Sequence, residues 1–115
     1  MGLQVGGTWI QTSEVVADVC ELVHLWGPPT RTLRIAQVGV LLTLIRDDEE
    51  IGVGSLTPET GDFVLTGSIT DAGVTIEFEQ RGTFTSATHY TAETDLLVRG
   101  GAVTCELRTS DTGVR

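Results

Sequence analysis

The chain has 115 residues, which is room for one domain with one modest core. Sixteen carboxylates outnumber seven arginines, and the net charge of −9 argues against sequence-independent nucleic-acid binding and against anionic membrane surfaces. No apolar run approaches the roughly 18 residues that a membrane-spanning helix needs.

Thr, Val and Ile number 18, 13 and 6, and these β-branched types fit the pleated, half-buried surface of a sheet better than a helix. In chain order, Gly7-Thr8-Trp9-Ile10 opens the first strand, and the Trp9 face also carries Gln11 and Ser13. From Ser13 to Trp26 the apolar residues fall at 15, 16, 19, 20, 22, 23 and 26, a helical spacing that Ser13 would cap. Four valines and the Pro28-Pro29 stop favour instead an extended first strand, a turn near Cys20 and then a loop. Strands follow at 31–38, 40–46 and 51–56, with the acidic Asp47–Glu50 turn before the third. The 40–46 segment is apolar on both faces, with Val40, Leu42 and Leu44 on one and Leu41 and Ile45 on the other. Its outer face is expected to meet the 15–26 segment or, through Leu41 and Ile45, a second copy in a homodimer.

After a turn at Pro58–Gly61, Phe63, Leu65 and Ile69 alternate with Val64, Thr66 and Ser68. Asp71-Ala72-Gly73 then reads as a tight hairpin into Val74, Ile76 and Phe78. The stretch from Thr83 to Thr94 reads as one polar strand, in which Phe84, Ser86, Thr88 and Tyr90 share the inner face and His89 points out. Strands at 96–99 and 102–109 complete the chain. No helix long enough for a parallel crossover separates these runs. The fold expected is therefore all-β, an antiparallel meander of about eight strands closed into a small barrel, spanning 1–115 as one domain.

A short word recurs as Gly7-Thr8-Trp9-Ile10, Gly54-Ser55-Leu56-Thr57, Gly67-Ser68-Ile69-Thr70 and Gly82-Thr83-Phe84-Thr85. It suits a strand at a barrel corner, where a glycine permits close backbone approach. Cys20 and Cys105 are the only cysteines, and an isolated pair in a short β domain suggests a disulfide and an oxidising compartment. Export to the periplasm or beyond is expected on that ground alone, with Met1-Gly2 read as a start placed after a removed targeting segment. Two buried reduced thiols are the competing reading.

Chemistry-bearing motifs are sparse. His24 and His89 lack metal-ligand spacing, and Asp47-Asp48-Glu49-Glu50 reads as a solvated turn rather than a calcium loop. No serine stands in a Gly-x-Ser-x-Gly elbow, and no glycine pair opens a helix that would cradle phosphate. No catalytic residue, metal or cofactor is expected.

Gly7-Thr8-Trp9 at the start of the first strand and Arg108 in the last resemble the lipocalin and wider calycin pattern. In those barrels a Gly-x-Trp opens the first strand, and an arginine from the last strand packs across the indole and closes the floor. The chain is also similar to small bacterial lipocalin-like domains. The resemblance implies an exported, non-catalytic barrel that binds a mostly apolar small molecule, with Gly7, Trp9 and Arg108 as structural residues. Its lining would be Trp9, Gln11, Leu42, Phe63, Leu65, Ile76, Phe78, Phe84 and Tyr90. A second reading is a filled barrel serving as an interaction module, such as a protease inhibitor or envelope-assembly component. A third is a cofactor-free isomerase or cyclase with Tyr90 as the acid.

Overall fold

The computed structural model describes residues 4–18, 30–71, 73–100 and 103–115. Side chains alternate in and out along eight strands: β1 (Gly7–Asp18), β2 (Thr30–Val38), β3 (Leu41–Arg46), β4 (Glu49–Leu56), β5 (Asp62–Asp71), β6 (Val74–Ser86), β7 (His89–Gly100) and β8 (Val103–Val114). Each pairs antiparallel with the next, and β8 returns to β1, so the sheet closes into a barrel with no free edge. The antiparallel barrel expected from the sequence is the observed fold.

The first strand runs extended through residue 18, so no helix starts at Ser13. Cys20 and the rest of the segment to Pro29 lie outside the described residues. The recurring glycine word marks tight strand approach, as expected. At Gly67 a Cβ would fall 1.8 Å from the Ile51 carbonyl oxygen of the neighbouring strand.

Strand boundaries differ from the sequence reading at the reversal near residue 87. The stretch from Thr83 to Thr94 is not one strand: β6 ends at Ser86, and β7 begins at His89. Ser86 and Thr88 are therefore exposed turn residues rather than inner-face ones, while Phe84 and Tyr90 still face in as direct partners. The turn holds no Gly or Pro. Its chain reversal is stabilised by hydroxyls instead, since the Thr88 amide donates to Ser86 Oγ at 3.2 Å and Thr85 Oγ1 donates to the His89 carbonyl at 3.3 Å.

An eight-stranded barrel is just wide enough for its own side chains to fill. Trp9, Leu33, Ile35, Leu42, Leu44, Phe63, Leu65, Phe78, Phe84, Tyr90, Leu96 and Leu107 do so here, all buried. On the outside, Arg108, Asp95, Arg81 and Glu79 form an exposed ion-pair chain with N–O distances of 2.7, 3.1 and 3.4 Å.

Candidate functional site

The floor of the barrel is built around Trp9, which is fully buried. Its indole Nε1 donates to the Val5 carbonyl at 2.8 Å, and Val5 is held beneath the barrel by the Gln37 side chain, which accepts from its amide at 2.7 Å. The Arg115 guanidinium lies over the indole, 5.8 Å from the ring centroid, and donates to the Gly6 carbonyl at 2.5 Å. Gly7 gives that arginine its path. Its φ of +138° disfavours a side chain, and a Cβ there would sit 3.1 Å from the Arg115 Cδ.

Arg108 is thus not the arginine of the Gly-x-Trp pattern. It faces solvent on β8 and donates from Nε to Asp95, a hydrogen bond that raises its pKa. The last strand runs on to Val114 instead of stopping at 109. Ile10 pairs with Val114, so the ladder carries Trp9 to Arg115, whereas Arg108 pairs with Ala17 at the other end of β1.

Above the floor, Trp9, Phe63, Phe84 and Tyr90 form one aromatic cluster with ring centroids 4.6–5.6 Å apart. The Tyr90 ring lies on Gly113, where a Cβ would fall 1.9 Å from its Cε2. Its hydroxyl donates to Gln11 Oε1 at 2.5 Å. Burial and the nearby Asp111 charge push the phenol well above its usual pKa, so it is held neutral as a hydrogen-bond donor.

From Gln11 a polar network crosses the barrel. Gln80 Nε2 donates to Gln11 Oε1 at 2.9 Å and to Asp111 Oδ2 at 3.1 Å. Thr94 Oγ1 donates to the same carboxylate oxygen, Thr109 Oγ1 donates to Oδ1 at 2.9 Å, and Gln11 Nε2 donates to Ser13 Oγ at 3.3 Å. Asp111 is thereby fully buried yet has both oxygens bonded, as a buried carboxylate requires.

All nine residues expected to line a pocket are buried inside the barrel, and they fill it. Among the described residues a void lined by two of them, Gln11 and Phe78, together with Arg31, Leu33, Gln80 and Thr94, measures about 10 Å3. That is the space of about one water molecule. A larger concavity, about 900 Å3, is an open groove on the outer surface along β5 to β8 that includes Thr66, Glu77, Glu79, Asp95, Glu106 and Arg108. Among the described residues no group of His, Cys, Asp and Glu is placed to hold a metal ion. His89 is exposed, with Nδ1 near the hydroxyls of Thr88 and Ser86 at 2.9 and 3.4 Å.

Gln80, Thr94, Thr109, Asp111 and Arg115 carry this architecture but were missed in the sequence. The alternation held the signal for most of them. Gln80 is two residues beyond Phe78, and Thr94 is four beyond Tyr90. Asp111 and Thr109 needed the last strand to be drawn to its full length. Cys105 lies in β8 beside Val98, and its proposed partner Cys20 is outside the described residues.

The outer face also carries exposed apolar side chains. Val38, Leu41, Val53 and Val64 project outward from β2 to β5, with Leu41 63 % and Val38 77 % exposed. Val38 pairs with Leu41, Leu41 with Ser55 and Ser55 with Val64, so Val38, Leu41 and Val64 form one row across the strands, with Val53 two residues from Ser55 along β4. Ile45 is on this outer face too, half-buried beside Arg34. Comparisons with family models, curated proteins and solved structures return no match for this chain.

Proposed function

We propose that the protein is a non-catalytic interaction module, a lipocalin-like barrel whose interior is filled and whose outer surface does the binding. The observation that carries this reading is the interior void of about 10 Å3. Small-molecule pockets run to roughly 300–1,000 Å3, and the void beside Gln11 and Phe78 is far smaller. The closed eight-strand meander and the Trp9–Arg115 contact support the lipocalin-like assignment.

The partner we infer is a second copy of the chain, docked through the apolar row from Val38 to Val64. The row itself carries no charged side chain, whereas on β6 to β8 Glu77, Glu79 and Asp95 are ion-paired to Arg81, Arg99 and Arg108. Two copies meeting there keep their charged faces apart, which matters for a chain of net charge −9. Export, with Cys20 and Cys105 bridged, belongs to the same proposal.

Native mass spectrometry of protein purified from its own host tests both parts. The expected species is a dimer without an organic ligand, and Leu41→Asp should convert it to monomer. A stoichiometric apolar molecule retained by a monomer would restore the ligand-carrier reading in place of this one.

A further inference from the structure

The void of about 10 Å3 lies beside the polar network that crosses the barrel. Gln11, Gln80 and Thr94 form its polar wall, and they are only 3 %, 4 % and 2 % exposed. Leu33, Leu44, Ile51 and Phe78 form its apolar wall, and Arg31 completes the lining. The network fixes which way each amide points. Gln80 Nε2 donates both of its hydrogens, to Gln11 Oε1 and to Asp111 Oδ2, so the Gln80 oxygen points away from both. Among the described residues no donor reaches Gln80 Oε1, and packing does not seal it off either. It therefore opens into the void that Gln80 lines.

The other two polar residues have capacity left as well. Gln11 Oε1 is saturated by Gln80 and Tyr90, but Gln11 Nε2 uses only one of its two hydrogens, on Ser13. Thr94 Oγ1 gives its hydrogen to Asp111 and keeps its lone pairs.

We propose that the void is the binding site of a single structural water, held by Gln80 Oε1, Thr94 Oγ1 and the second Nε2 hydrogen of Gln11. The water donates one hydrogen to each oxygen and accepts one from the amide. Three bonds are the usual number for a buried water, and the space admits one such molecule and no second. The wall also selects against small ions. An anion would stand close to the Asp111 carboxylate behind Thr94, and a cation would stand against the Arg31 guanidinium. A neutral molecule that both donates and accepts suits the two acceptors and one donor. The water completes the network at its branch point, because Gln80 on β6 joins Gln11 on β1 to Asp111 on β8, and Thr94 brings in β7. A buried amide oxygen without a donor is costly, and a bridging water removes that cost. This site belongs to the interior alone and does not depend on the outer face binding a second copy.

The test uses the folded, full chain in two ways. In a high-resolution crystal structure one round density peak should lie about 2.7–3.2 Å from Gln80 Oε1, inside the barrel. In solution, oxygen-17 relaxation dispersion of the solvent counts water molecules held for longer than the protein tumbles, and it is blind to exchanging hydroxyl protons. That count should fall by one from the wild type to Ile51→Phe, whose ring takes up the space from the apolar wall and leaves the hydrogen-bonding groups untouched. Arg108→Ala, on the outer face, should leave the count unchanged. Amide spectra show whether Ile51→Phe folds, and if it does not, the density decides alone. Empty density in the void, a Gln80 amide turned with its nitrogen towards it, or an undiminished count in folded Ile51→Phe would each overturn the assignment.

Discussion

Tyr90 is the only tyrosine, so its ionisation can be followed without interference. In the folded chain its hydroxyl donates to Gln11, and burial raises its pKa. A group whose pKa is raised on folding contributes stability below its unfolded value and loses it as pH climbs through the folded one. For Tyr90 that loss starts near the ordinary tyrosine value of about 10, at up to about 1.4 kcal/mol per pH unit. Tyrosinate absorbance should therefore rise together with the loss of near-ultraviolet circular dichroism, not before it. Absorbance that titrates near pH 10 in the folded protein would show an accessible phenol. Tyr90→Phe should cost about 1–2 kcal/mol at neutral pH, because it strips a donor from the buried Gln11 oxygen, and should flatten the alkaline loss. Arg115 is the second residue with a specific expectation. Arg115→Ala should lower stability by about 1 kcal/mol and change Trp9 emission, while Arg108→Ala leaves the emission unchanged.

At the scale of the strand, the hairpin between β3 and β4 turns on Asp47 and Asp48, both with positive φ, 51° and 64°. That is the two-residue turn whose preferred sequence is Asn-Gly, because both positions sit in the left-handed region. Replacing Asp47-Asp48 by Asn-Gly should stabilise the protein by about 0.5–1 kcal/mol, read as a higher urea midpoint with an unchanged slope. An unchanged midpoint would mean that the aspartates already adopt this turn without strain. Turns of this kind also show what the sequence could reveal. Hairpins at Gly39 and Gly73 announce themselves, because a glycine with φ near +60° to +80° leaves a mark. The reversal at Ala87-Thr88 leaves none, since hydroxyl groups replace the glycine, and the strand was overrun there. Inner faces were legible where the period was two, from Val74 to Phe78 and from Phe63 to Leu65. They were lost where length mattered: with the last strand stopped at residue 109, neither Asp111 nor Arg115 had a place, and Arg108 was put on the indole in its stead. The filling of the barrel was not legible at all. Apolar inward residues read the same whether they enclose a ligand or each other, and only the coordinates, with Trp9, Phe63, Phe84 and Tyr90 in mutual contact, separate the two.

Taken whole, the molecule is a closed barrel with a buried core, an ion-paired outer face on β6 to β8 and an apolar row on β2 to β5. If Cys20 and Cys105 are bridged as proposed, alkylation under non-reducing, denaturing conditions should add nothing to the intact mass. Uptake of two groups would remove the argument for export. The apolar row makes a different claim, about association, and its salt dependence distinguishes two ways in which copies of an acidic protein can meet. Contacts made by charged pairs weaken as salt rises, because screening removes their attraction. A dimer made by Val38, Leu41, Val53 and Val64 has no interfacial ion pairs to lose. Its main electrostatic term is repulsion between two chains of net charge −9, and screening removes that instead. The screening length shrinks from about 30 Å at 0.01 M salt to about 10 Å at 0.1 M, and the barrel's shorter dimensions are 24 and 20 Å. The two chains thus repel each other across the dimer at the lower concentration and hardly at all at the higher. Sedimentation velocity across that range should show the dimer strengthening with sodium chloride, by roughly three- to tenfold in dissociation constant. Leu41→Asp should abolish association at every concentration, since it buries an unpaired carboxylate at the centre of the row. A dimer that weakens with salt and survives Leu41→Asp would lie on another face, where the ion-pair chain of Arg108, Asp95 and Arg81 would be the first place to look.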